Sequence, residues 1–184
     1  SSRQSRNLTA SPGLNSGVQI RSHAYPTNTE VMWKGKALKV PANRVHGYQV
    51  EIDPSTRSWS AGIYDESRRG WLDDLKQNEA ARKAFKQNEW NHYRIVAIGD
   101  SIKTWINGVP AADLKDDMTP SGFIALQVHA IYDKEMDGKK VQWRNIRIRT
   151  AKAEDLNAMG KVAAPQVSYL KNRLTEAEKQ QGWK

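Results

Sequence analysis

The stretch HYRIVAIGDSIKTWINGVPAADL, residues 92–114, decides the fold class. It holds three short runs rich in β-branched and aromatic residues, broken first by Gly99-Asp100 and then by Asn107-Gly108. Asn-Gly is the strongest short hairpin signal, because both central residues of a type I′ turn need positive φ. Three successive antiparallel strands follow from this punctuation. Alternation then places Tyr93, Ile95 and Ala97 on one side, with His92, Arg94 and Val96 on the other.

Working outward, the same texture recurs in GVQIR (17–21), GYQVEID (47–53), WSAGIYD (59–65), GFIALQVHAIY (122–132) and VQWRNIRIR (141–149). Short runs of this kind between turn residues predict an all-β protein. The exception is residues 72–88, LDDLKQNEAARKAFKQN, which lack Gly, Pro and β-branched residues. Leu72, Leu75, Ala80, Ala84 and Phe85 fall at spacings compatible with one helical face. One short surface helix is therefore predicted, packed over a sheet.

Residues 1–13 are polar and read as a loose arm, without the apolar h-region of a secretion signal. A sandwich domain is expected over residues 14–150. Beyond Thr150 the strand pattern stops, and residues 151–184 read as a linker and a short terminal helix opened by a capping box at Thr175 and Glu178.

Composition bounds the chemistry. The chain has 184 residues, 38% hydrophobic and 27% charged, the balance of a globular chain long enough to close its own core. No apolar run approaches the roughly 18 residues of a membrane-crossing helix, so no membrane span is expected. Cysteine is absent, which removes disulfides, thiolate metal sites and a cysteine nucleophile together. The four histidines show neither HExxH nor HxH spacing. The net charge of +9 permits attraction to polyanions, but the basic residues are interspersed with acids from Arg3 to Lys184. That dispersion reads as a solvated surface, and nucleic acid is not an expected partner.

Strand alternation sorts the polar residues further. Val18 and Ile20 oppose Gln19 and Arg21; Tyr48, Val50 and Ile52 oppose Gln49 and Glu51; Ile124, Leu126 and Val128 oppose Ala125, Gln127 and His129. One face of a sandwich sheet must be apolar. Arg21, Glu51, Gln127 and His129 are thus expected to share the outer face, with solvation as the ordinary alternative. Seven tryptophans are a generous supply of flat surfaces for sugar rings, and at least half of them are expected in the core.

Taken in order, NSGVQIRS, GYQVEID, AGIYDE, EWNHYRIVAIGDSIKTWINGVPAADL, GFIALQVH and WRNIRIR closely resemble the 3-keto-disaccharide hydrolase domain family over about residues 12–150. The resemblance implies an antiparallel jelly-roll β-sandwich of the concanavalin or glucanase type. Family members open with several strands ahead of the NSG segment, so the chain is expected to lack those strands. Its ending RLTEAEKQQGWK suggests a lead-in to a further domain of the same parent chain.

The implied substrates are disaccharides or glycosides oxidised to a ketone at C3. The ketone acidifies the C2 hydrogen, so a base removes it, the C1 oxygen departs by β-elimination, and water adds to the enone. On that resemblance His129 is the first candidate base, Glu51 the competing base and Arg21 the stabiliser of the enolate. Gln127, Tyr64 and Gln49 would orient sugar hydroxyls, and Trp105 or Trp71 would stack. A divalent cation on His129 and Glu51 is compatible with this chemistry. The alternative is a non-catalytic carbohydrate-binding module on the same face. Relatives of this kind are exported, so a periplasmic or extracellular location is expected.

Overall fold

A computed structural model describes residues 14–132 and 134–149. The polar arm at 1–13 and the linker and helix expected at 151–184 lie outside the described residues. Within them the chain is an antiparallel β-sandwich of jelly-roll type. The strands are β1 Ser16–Ala24, β2 Thr29–Trp33, β3 Lys36–Val40, β4 Val45–Ile52, β5 Ile63–Glu66, β6 Gly70–Asp73, β7 Tyr93–Ile98, β8 Ser101–Ile106, β9 Val109–Lys115 and β10 Phe123–Leu126. They form a five-stranded sheet in the order β10-β1-β4-β5-β6, a three-stranded sheet β7-β8-β9 and a hairpin β2-β3.

The three strands expected in residues 92–114 are β7, β8 and β9, and their pairing registers Tyr93 with Ile106 and Trp105 with Pro110. Asn107 and Gly108 take φ of 50° and 83°, the two positive values the turn requires. Tyr93, Ile95 and Ala97 pack against the core as alternation predicts.

The core lies between the two sheets. Ile20, Tyr48, Val50 and Ile63 from the larger sheet meet Ile102, Ile106 and Ala112 from the smaller one. Thr104 ties the layers: its hydroxyl donates to the Ala61 carbonyl at 2.6 Å and accepts from the Ala112 amide at 2.9 Å. A buried hydroxyl with both partners present costs little to bury.

The helix is shorter than predicted. α1 spans Glu79–Ala84, capped by Asn78, whose side chain accepts from the Ala81 amide at 3.1 Å. Upstream, Leu72 belongs to β6 and Leu75 sits at φ 56°, so the segment reaches the core without helical geometry. Ala81 is the buried alanine and Ala80 is exposed, one position from the expected face.

Two strand expectations are also revised. GFIALQVHAIY pairs only as far as Leu126, with the Gln127 amide adding one further bond to the Gly17 carbonyl at 2.9 Å. Residues 141–149 form no strand, and Ile146 and Ile148 are exposed. Propensity alone does not make a strand. The three-stranded sheet is narrower than the sheet it covers, which leaves Ile124 and Leu126 on β10 exposed. The hairpin β2-β3, turning through Lys34 and Gly35 at φ 45° and 77°, and the short β6 escape the sequence reading.

Candidate functional site

Two neighbouring rows cross the large sheet on opposite faces. Leu126, Val18, Val50 and Ile63 stand in cross-strand register on the core side. One position along, Ala125, Gln19, Gln49, Tyr64 and Trp71 stand in register on the other side. Because side chains alternate with period two, the second row and the Gly17–Glu51 pair belong to one face. That face borders a cavity of about 720 Å³.

This face is polar yet buried. Gln19, Gln49 and Glu51 are only 3%, 2% and 4% exposed. At Glu51 the solvated alternative is therefore replaced by a connected network. Ser22 Oγ donates to Gln19 Oε1 at 2.8 Å, Gln19 Nε2 to Gln49 Oε1 at 2.9 Å, and Gln49 Nε2 to Glu51 Oε2 at 2.7 Å. Asn15 Nδ2 donates to the other carboxylate oxygen. Every donor in this relay points toward Glu51, so the dipoles add. Burial nonetheless pushes the Glu51 carboxyl above its ordinary value, against the opposing hydrogen bonds from Asn15 and Gln49.

Of the expected site residues, Glu51, Gln49, Gln127, Tyr64, Trp71 and His129 line this one cavity. Gln127 brings Oε1 there buried and, among the described residues, without a hydrogen-bond partner, an acceptor open to a donor. Trp71 stands edge-on to Tyr64, with ring centroids 5.2 Å apart. His129 follows the last pairing of β10 and is exposed. Its Nδ1 bonds the Ala130 carbonyl at 2.8 Å. A carbonyl only accepts, so Nδ1 carries the hydrogen, and the neutral ring keeps its lone pair on Nε2.

Arg21 is not in the site. The pairing of β1 with both neighbours slips between Gln19 and His23, and Arg21 takes φ 48° as the extra residue of a β-bulge. The bulge lies against Gly47 and Gly122, where an added Cβ would come within 3.0 Å and 2.4 Å of the Ser22 and Arg21 backbone respectively. The guanidinium leaves the polar face and donates to the Gly99 carbonyl at 2.8 Å, in the β7–β8 turn. Ser22 takes the inward place and begins the relay.

Trp105 is also elsewhere. Ile102, Thr104 and Ile106 of β8 are buried, so Trp105 points outward from the small sheet, beneath Arg94 with the cation 4.9 Å from the ring centroid. None of the six described tryptophans is fully buried, against the expectation that half would be core; Trp59 packs on the core's edge. Their indole N–H groups favour such half-wet positions.

The sequence reading missed Asp53 and Arg57. Asp53 Oδ1 accepts from the Ser55 amide and hydroxyl, and Oδ2 accepts from the Trp59 amide and from Arg57 Nε at 2.8 Å. Burial alone would raise this carboxyl, but the hydrogen bonds from Ser55 and Arg57 outweigh it and hold it below its ordinary value. Asp53-Pro54-Ser55 is a turn-forming sequence, so the loop, though not its aim, was there to be found.

The donor set does not fit the divalent cation considered for His129 and Glu51. Both Glu51 oxygens face amide hydrogens, and among the described residues no three His, Asp or Glu side chains are grouped to hold a metal ion. Likewise, no helix among the described residues is long and apolar enough to cross a membrane.

An antiparallel sandwich whose polar sheet face carries a buried carboxyl, amide side chains and an aromatic wall belongs, in architecture, to the class of jelly-roll β-sandwiches. More particularly, residues 5–149 match the model of the 3-keto-alpha-glucoside-1,2-lyase-like domain, and the chain belongs to that family. No curated protein matches the chain.

Proposed function

We propose that the cavity cleaves the glycosidic bond of 3-keto-glycosides or 3-keto-disaccharides by elimination and hydration. The observation that carries this reading is Glu51: a buried carboxyl with a raised pKa, at the end of a donor relay and bordering a cavity walled by Tyr64 and Trp71. A base whose pKa is lifted toward neutrality suits abstraction of a ketone-activated proton.

Glu51, rather than the exposed His129, takes the C2 proton in this mechanism. The C1 oxygen departs with its bonding pair and receives that proton from Glu51, leaving an enone. His129 Nε2 then accepts a proton from the incoming water as its oxygen bonds C1, and returns it to C2. The sum is hydrolysis without the flanking carboxylate pair of ordinary glycosidases. Gln49 and Gln127 orient hydroxyls, and Trp71 with Tyr64 packs against the sugar. The proposed location is the periplasm or the cell exterior, where oxidised glycosides are scavenged.

The aromatic wall equally suits a non-catalytic carbohydrate-binding module. Turnover separates the two. Incubation of the protein with a 3-keto-disaccharide, with and without chelator, is expected to give transient enone absorbance and free reducing sugar. Saturable binding with no product above the enzyme-free rate would discard the catalytic reading in favour of the module.

A further inference from the structure

We propose that Arg57 holds the carbonyl oxygen of the substrate and stabilises the oxyanion formed there, the part expected of Arg21. This rests on the cleavage reading above. Arg57 lines the same cavity as Glu51, and its Nη2 lies 3.8 Å from Glu51 Oε1. That separation is too long for a hydrogen bond but within reach of a common ligand.

The guanidinium is fixed without using its outer donors. Nε is anchored on the buried Asp53 at 2.8 Å. Its centre lies 4.6 Å from the Trp59 ring centroid and 5.0 Å from that of Trp71, the two indoles standing edge to face at 4.8 Å. Nη1 and Nη2 make no hydrogen bond among the described residues. A planar fork that is oriented, clamped and unspent is a preorganised oxyanion site. Had its purpose been to neutralise Glu51, the guanidinium would be expected to close the remaining gap and bond the carboxylate.

As Glu51 takes the C2 proton, the C2–H pair forms C2=C3 and the carbonyl π pair moves onto O3, where Nη1 and Nη2 donate to it. The pair on O3 then re-forms C3=O, the C2=C3 pair becomes C1=C2, and the C1–O bond breaks with its electrons leaving on the departing oxygen. Glu51 returns its proton to that oxygen.

Arg57→Ala and Arg57→Lys, assayed on a 3-keto-glucoside, test the assignment. Each is expected to lower kcat by about 10²- to 10³-fold, the usual loss for one oxyanion donor, with KM changed only a few-fold. Guanidinium ion added to Arg57→Ala should recover part of kcat. Arg57→Lys keeps the ion pair with Asp53 and so reads out the missing fork even if Arg57→Ala does not fold. Active wild type with undiminished kcat in folded variants, or a loss confined to KM, overturns this assignment alone. Inactive wild type overturns both this assignment and the cleavage reading.

Discussion

Gln49 lies across Gly17: a Cβ added at position 17 would come within 2.5 Å of Gln49 Cγ and 2.6 Å of its Cδ. Gly17 stands directly opposite Glu51 in the sheet, so the missing side chain is the space through which Gln49 reaches the carboxylate. The glycine here serves close approach rather than a turn.

Gly17→Ala should therefore displace the Gln49 amide and break the relay at its last link. We expect a cost of about 1–3 kcal/mol, the range for overpacking a filled site, together with lower turnover. A urea midpoint and a kcat measurement check both. An alanine variant with unchanged stability and turnover would show that Gln49 does not need this path.

Glu51→Gln removes the proposed base but keeps its shape. Turnover should fall by about 10²- to 10⁴-fold. Stability should fall by only about 1 kcal/mol, because the new amide cannot accept from both Asn15 and Gln49, while the penalty of a buried charge disappears. Retained turnover in a folded Glu51→Gln protein would move the base to His129.

The pH profile of kcat/KM follows from the same carboxyl. A base must be unprotonated in the free enzyme, and Glu51 is held above its ordinary value by burial. The acid limb is therefore expected to have its midpoint above the ordinary glutamate value of about 4.3. His129→Gln should leave that limb in place while slowing hydration of the enone. Loss of the limb in the His129 variant would reverse the two roles.

Asp53 and Asp116 govern stability in acid. Arg69 bonds Asp116 at 2.7 and 3.0 Å, and Tyr48 donates to the same carboxylate. Burial would raise Asp116, but the hydrogen bonds from Arg69 and Tyr48 win and lower it, as those from Ser55 and Arg57 lower Asp53. A carboxyl depressed on folding contributes stability above its unfolded value of about 3.9, and the contribution is lost as pH falls through the folded value. The melting temperature should thus drop on acidification below about pH 4. Asp116→Asn should cost about 2 kcal/mol at pH 7 and flatten that dependence. Equal acid sensitivity in the variant would locate the effect elsewhere.

The two aromatic candidates predict opposite outcomes. Trp71→Ala should weaken binding of a 3-keto-glucoside by about 1 kcal/mol, roughly fivefold. Trp105→Ala, on the far side of the small sheet, should leave the affinity unchanged when measured by calorimetry. A reversed pair of results would place the sugar on the outer surface.

Much of this architecture is legible in residue order because strands, turns and faces obey local rules. Asn107-Gly108 demands a tight hairpin, and the alternation of Gln49 and Glu51 against Tyr48 and Val50 assigns them to opposite faces whatever surrounds them. Those inferences need only backbone sterics and a period of two. Family membership, too, is written in the motifs from the NSG segment to WRNIRIR.

Other features depend on what distant segments do to one another. The bulge at Arg21 shifts the period by one residue, and the register across β1, β4 and β10 accommodates it beside Gly47 and Gly122. No inspection of GVQIR alone reveals that its arginine turns away to Gly99. Residues 141–149 have strand propensity yet form no strand among the described residues, because propensity alone does not supply a paired backbone. Arg57 joins Glu51 because a turn folds back on Asp53 while Trp71 arrives from another strand to clamp it. Local patterns specify faces and turns; which side chains meet is a matter of pairing and close approach between segments far apart in the chain.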